Sequence, residues 1–167
     1  MSGAMKPASS GLSRRSALAL ACAALASGLA HAAGREGKTS VEVWKDPECG
    51  CCKDWVSYLE TNGFAVKVNE TGNDEARARL GIDRKYGSCH TAQVAGYAIE
   101  GHVPAREIRR LLSEKPTAIG LAAPGMPVGA PGMDGPAYGG RKTPYDVLLL
   151  SKDGSAKVYQ RYEGSKS

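Results

Sequence analysis

Three thiols fall within four residues at Cys49-Gly50-Cys51-Cys52, and no other stretch restricts the chain so tightly. The run follows a short alternating segment and precedes apolar residues at helical spacing. A strand end and a helix start must therefore meet at this point. Cys49 and Cys52 have the C-x-x-C spacing of a dithiol redox pair. Cys51 is surplus to a two-thiol switch. Three sulfurs in one turn also close little chain, and disulfide stabilisation grows with the loop closed. The run points either to thiol redox chemistry or to a soft-metal site.

Residues 1–32 read as an export signal rather than as fold. Arg14-Arg15 precedes an Ala/Leu-rich run from Ala17 to Ala30, and Ala30-His31-Ala32 supplies the small residues a signal peptidase tests, placing cleavage after Ala32. The paired arginines resemble a twin-arginine signal in part, although an ordinary secretory signal also begins with positive charge. The run is too short for a membrane span, and Cys22 reads as one of its small apolar residues. Residues 33–167 then make one domain, with the periplasm as its expected compartment and no membrane span in the mature protein. The formal charge of +5 falls to +2 once Lys6, Arg14 and Arg15 are removed. No Lys/Arg-dense stripe with interleaved aromatic residues remains, so nucleic acid is not an expected partner.

The order of elements follows from spacing and breakers. Val41-Glu42-Val43-Trp44 alternates as a strand. Trp55, Val56 and Leu59 fit a helix from about Cys51 to Thr61, stopped by Asn62-Gly63. Phe64 to Val68 is a second strand, and Asn73 or Asp74 caps a short helix ending near Leu80. Thr91–Val94 and Tyr97–Glu100 are short strands around Ala95-Gly96. Pro104 opens a helix that turns Ile108, Leu111 and Leu112 inward. Residues 116–144 hold six prolines and seven glycines, so regular structure is not expected across most of them. Asp146–Leu150 and Lys157–Tyr162 form a hairpin around Lys152-Asp153-Gly154, with Val147, Leu149, Val158 and Tyr162 as its buried face. The fold class is α/β (an α+β sandwich): a thioredoxin-like domain with a Gly/Pro/Met-rich loop and a C-terminal hairpin. The alternative is an unrelated small α/β domain carrying a metal knuckle.

The cysteines sit where a thioredoxin-like fold keeps its reactive group. Unpaired N–H groups at a helix start favour thiolate, and thiolates select Cu(I), zinc or iron–sulfur clusters over hard ions. Copper also suits an exported protein with Met and His nearby. Cys89-His90 precedes a strand at the place where such a fold usually carries a cis-proline. Here the residues are Ser88-Cys89-His90-Thr91, without proline. A fourth sulfur there invites trapping of a catalytic disulfide, whereas coordination explains it. The candidate ligands are Cys49, Cys51, Cys52 and Cys89, with His90 either as a ligand or as a group orienting a thiolate. His102 reads as exposed or hydrogen-bonded, and Met126 and Met133 as hydrophobic pins of a glycine-rich loop. All three are weaker candidate ligands.

Four blocks in order carry a resemblance: Cys49-Gly50-Cys51-Cys52-Lys53-Asp54-Trp55, Ser88-Cys89-His90-Thr91-Ala92, Gly96 to Pro104, and the pair Pro124-Gly125-Met126 and Pro131-Gly132-Met133. Together they resemble the CopG-like family of periplasmic metal-binding proteins over about residues 41–134. The resemblance implies a thioredoxin-like domain holding a copper–sulfur cluster with Cys49, Cys51, Cys52, Cys89 and His90. It also implies a role in copper resistance.

The favoured reading is an exported protein that holds several Cu(I) ions in a multi-thiolate cluster. Copper redox conversion, or transfer to a periplasmic copper carrier or efflux component, would extend that role. The rival is a thiol–disulfide oxidoreductase using Cys49 and Cys52. A zinc- or disulfide-stabilised interaction module is the third. No catalytic residue is assigned.

Overall fold

Alternation along Val41-Glu42-Val43-Trp44-Lys45 sends Val41, Val43 and Lys45 to one buried side, and this strand organises a single seven-stranded sheet. The computed structural model describes residues 37–165, so the export signal assigned to 1–32 lies outside the described residues. In chain order the elements are β1 (Ser40–Lys45), α1 (Gly50–Thr61), β2 (Ala65–Asn69), α2 (Asp74–Arg79), β3 (His90–Val94), β4 (Tyr97–Gly101), α3 (Ala105–Glu114), β5 (Gly120–Ala123), β6 (Tyr145–Leu150) and β7 (Ala156–Tyr162). Short 3-10 turns occupy Arg84–Tyr86 and Pro136–Tyr138. The strands lie in the order β2-β1-β3-β4-β5-β6-β7. β1 pairs parallel to β2 and antiparallel to β3, and β4 pairs parallel to β5. The mixed α/β class read from the sequence is the one observed.

Period-two alternation divides the core between the two faces of the sheet. Ile99 of β4 and Leu121 of β5 join Trp55, Leu59, Ile108 and Leu111 in the larger cluster. Their neighbours Ala98 and Ala122 meet Ile82 and Leu150 in the smaller one. α1 and α3 thus cover one face, where the fully buried Trp55 donates its indole N–H to the Val103 carbonyl at 3.0 Å. Trp44, expected in the core, is only half-buried, with the Arg79 guanidinium 4.7 Å from its ring centre.

Residues 116–144 are irregular over most of their length, as expected, and hold one four-residue strand: β5 lies between β4 and β6 with all four of its residues buried. Its Gly-Leu-Ala-Ala sequence shows no alternation because both sides are covered. Val158 is 49% exposed rather than buried. A register shift between Val147 and Leu148 pairs Val158 with Leu148, so it does not share a face with Val147 and Leu149. Among the described residues no helix is long and apolar enough to cross a membrane.

The glycine-rich segment packs directly on α1. Gly132 has φ +81°, and a Cβ there would lie 2.7 Å from both the Cys51 carbonyl oxygen and the Trp55 backbone nitrogen. Gly132→Ala should therefore lower stability by about 1–3 kcal/mol through overpacking and left-handed strain, read as a reduced urea midpoint with unchanged slope.

Candidate metal centre

The turn after β1 sets the first three sulfurs. Lys45, only 2% exposed, donates its Nζ to the carbonyls of Asp46 (2.8 Å) and Pro47 (3.4 Å) and pairs with Glu70 at 3.1 Å. Cys49 occupies the N-cap position of α1 with extended backbone, and its N–H closes a turn onto the Asp46 carbonyl at 3.1 Å. Cys51 and Cys52 follow in the first helical turn. Cys49 and Cys52 are joined as a disulfide, while Cys51 and Cys89 are free and half-buried.

Cys89 reaches the same point from the residue before β3. Its Sγ lies 3.8 Å from that of Cys51, and Cys51 Sγ lies 3.6 Å from that of Cys49. The Cys52 sulfur faces the Cys89 carbonyl at 3.5 Å. All four sulfurs fall within 4.8 Å of one another, close enough for a shared metal site. A second overlapping group joins Cys89 to His90 and His102.

The two histidines differ. His102 is fully buried, with Nδ1 2.9 Å from the Pro131 carbonyl. A carbonyl only accepts, so Nδ1 carries the proton and Nε2 presents a lone pair to Cys89 Sγ at 3.2 Å. From the sequence His102 reads as exposed or hydrogen-bonded; it is hydrogen-bonded and buried. His90 is also fully buried, its ring 4.4 Å from that of Trp55 and 4.8 Å from that of His102. Its Nδ1 lies 3.4 Å from Cys89 Sγ, but its Nε2 has no partner. Burial holds His90 well below the ordinary imidazole range, with His102 adding to the effect and the Gly101 backbone opposing it. Burial also lowers His102, against the Pro131 carbonyl and Asp134. Both rings are therefore neutral near pH 7, the form in which imidazole binds metals.

Of the two loop methionines, Met133 is buried and its sulfur accepts from the Tyr138 hydroxyl at 3.2 Å. Burial, then the nearby Cys51, Asp54 and Cys89, raise the Tyr138 phenol. Met126 is 56% exposed. Its neighbour Gly125 receives the Ser88 hydroxyl on its carbonyl and donates its own N–H to Gly87 at 3.0 Å.

Sequence reasoning missed Lys45, Arg77 and Glu100. Lys45 shares the alternation of Val41 and Val43, and Glu100 interrupts an otherwise apolar strand. Those were the available signals.

Burial, then the neighbouring Cys51, push the Cys89 thiol up to about 12, against the Ser88 hydroxyl, which favours the thiolate. Alkylation of Cys89 should therefore still be accelerating at about pH 10, where an ordinary thiol has levelled off. Peptide mass spectrometry after iodoacetamide labelling checks this, and a plateau at Cys89 by about pH 10 contradicts it.

A family model described as a protein of unknown function, DUF411, matches residues 86–133. That stretch contains Cys89, His90, His102 and both loop methionines, and excludes the Cys49–Cys52 run. No curated protein matches the chain. Two solved structures do, described as copper resistance protein CopG, Form 1 and Form 2. Form 1 is 43% identical with a TM-score of 0.70, covering 76% of this chain and 99% of that one. Form 2 is 43% identical with a TM-score of 0.69, covering 75% of this chain and 98% of that one. At that identity over nearly the whole of both solved chains, this protein belongs to the CopG copper-resistance protein family.

Proposed function

We propose that the protein is an exported, periplasmic copper-binding protein that holds several Cu(I) ions in a thiolate cluster and so contributes to copper resistance. The observation that carries this reading is the convergence of Cys49, Cys51, Cys52 and Cys89 within 4.8 Å at a helix start. Soft thiolates in that number favour Cu(I). His90 contributes through Nδ1, against Cys89, and His102 Nε2 is a second nitrogen donor. Ligation by His90 Nδ1 leaves a proton on its partnerless Nε2, whereas the Pro131 carbonyl already fixes the tautomer that His102 needs. A periplasmic copper carrier or efflux component is the exchange partner. The sheet order β2-β1-β3-β4, with the cysteines at the β1–α1 junction and α3 following, supports the thioredoxin-like assignment.

The Cys49–Cys52 disulfide adds a chemical capacity to this reading. All four thiolates are available only after that bond is reduced by two electrons. In the reverse direction, two thiols closing to a disulfide deliver two electrons and release two protons. Two Cu(II) ions accept those electrons and become two Cu(I), so the site balances as a copper reductase as well as a store. The same disulfide favours the second reading, a thiol–disulfide oxidoreductase in which Cys49 attacks and Cys52 resolves.

Anaerobic titration of the reduced protein with Cu(I), followed by metal analysis, should give several coppers per chain. Cys51→Ser and Cys89→Ser should each lower that number. Binding of no more than adventitious copper, with insulin reduction that requires Cys49 and tolerates Cys89→Ser, would establish the oxidoreductase instead.

A further inference from the structure

Glu100 lies in the interior of β4 with its side chain fully buried. Taking a carboxylate out of water costs several kcal/mol, and an apolar residue in its place is often no less stable. Burial raises the Glu100 carboxyl, against the donors that surround it.

Those donors identify what it holds. Glu100 Oε1 accepts from the Ser88 backbone N–H at 2.7 Å and from Arg77 Nε at 2.9 Å. Its Oε2 accepts from the Thr91 hydroxyl at 2.6 Å. Arg77 Nη2 then donates to the Ser88 carbonyl at 2.6 Å, and Nη1 to Asp74 at 2.7 Å. Asn73, at the N-cap of α2, makes no capping bond with its side chain. Its Nδ2 instead reaches the Ser88 carbonyl and the Thr91 hydroxyl, both at 3.2 Å. Thus the N–H and C=O of Ser88 and the side chain of Thr91 are all fixed, and these two residues bracket Cys89 and His90.

We propose that Glu100 is a positioning residue for Cys89. With Arg77 and Asn73 it forms a buried clamp that holds Ser88–Thr91 and keeps the Cys89 sulfur within reach of Cys51 and His102. The clamp stands where a fold of this order usually fixes its chain with a cis-proline, and no cis peptide occurs among the described residues. A carboxylate holds that chain while leaving Cys89 its own N–H and a free side chain. Arg77 offsets the buried Glu100 charge at 2.9 Å, while Asp74, its second partner, is exposed to solvent. Its consequence for copper rests on the proposed function; its consequence for Cys89 does not.

The test is Glu100→Gln, which keeps the shape but turns one acceptor into a donor facing Arg77, Ser88 or Thr91. In the reduced, copper-free protein, alkylation of Cys89 should rise about tenfold while that of Cys51 is unchanged, a factor equivalent to about 1.4 kcal/mol. In the copper-loaded protein, the ultraviolet thiolate-to-copper bands should move to those of Cys89→Ser, with a matching loss of bound copper. Arg77→Lys should act in the same direction, because lysine cannot serve Glu100 and the Ser88 carbonyl together. If circular dichroism shows Glu100→Gln to be unfolded, Thr91→Val carries the same readouts at smaller amplitude with the Arg77–Glu100 pair intact. Folded variants with wild-type Cys89 labelling and wild-type copper bands overturn the proposal. Should the wild type bind no copper, the copper reading falls and Cys89 labelling alone still decides the clamp.

Discussion

Everything at the sulfur site depends on the packing of the first turns of α1 against the start of β3, and Trp55 fixes that packing. Its indole reaches across to the Val103 carbonyl, and its ring lies on His90. One side chain therefore ties together the helix that carries Cys51 and Cys52, the strand start that follows Cys89, and the loop that carries His102. A large aromatic group with a single polar handle suits this role, because it fills the gap between helix and sheet while satisfying a carbonyl that the helix covers.

The site combines an open side and a dry side. Cys49, Cys51 and Cys89 are half-buried, whereas Cys52, His90 and His102 are closed off from solvent. Burial, then the neighbouring Cys51, make charge expensive there, which is why the Cys89 thiol resists ionisation without a cation beside it. A cation bound at this site would release that proton, since it would supply the compensation that the buried surroundings withhold.

The strands and helices that position the cysteines were legible because their periodicity is strong: alternation in β1, helical spacing of Trp55 and Leu59 in α1, and Gly or Pro at their ends. β5 was not, because a strand covered on both faces and built from Gly, Leu and Ala has neither alternation nor β-branching to show. The cysteine convergence was legible from the Cys49–Cys52 run and Cys89-His90. The position of His102 was not, since it depends on a hydrogen bond to Pro131, 29 residues away. Arg77 looks like an ordinary surface charge in sequence and Glu100 is marked only by its place in an apolar strand; the packing of α2 against the sheet brings them together behind Ser88. Val158 was misplaced because a register shift has no reliable mark in composition.

The segment around Gly132 completes the site from a distant part of the chain. Pro131 anchors His102, Gly132 lies on the backbone of Cys51 and Trp55, and Met133 leads to Tyr138. β5, which leads into this segment, is itself held on its far side by β6. A growing chain that has already produced all four cysteines therefore still lacks their cover until its last third is made. The order of synthesis leaves an interval in which these thiols are present but unroofed, open to whichever oxidant or metal arrives first.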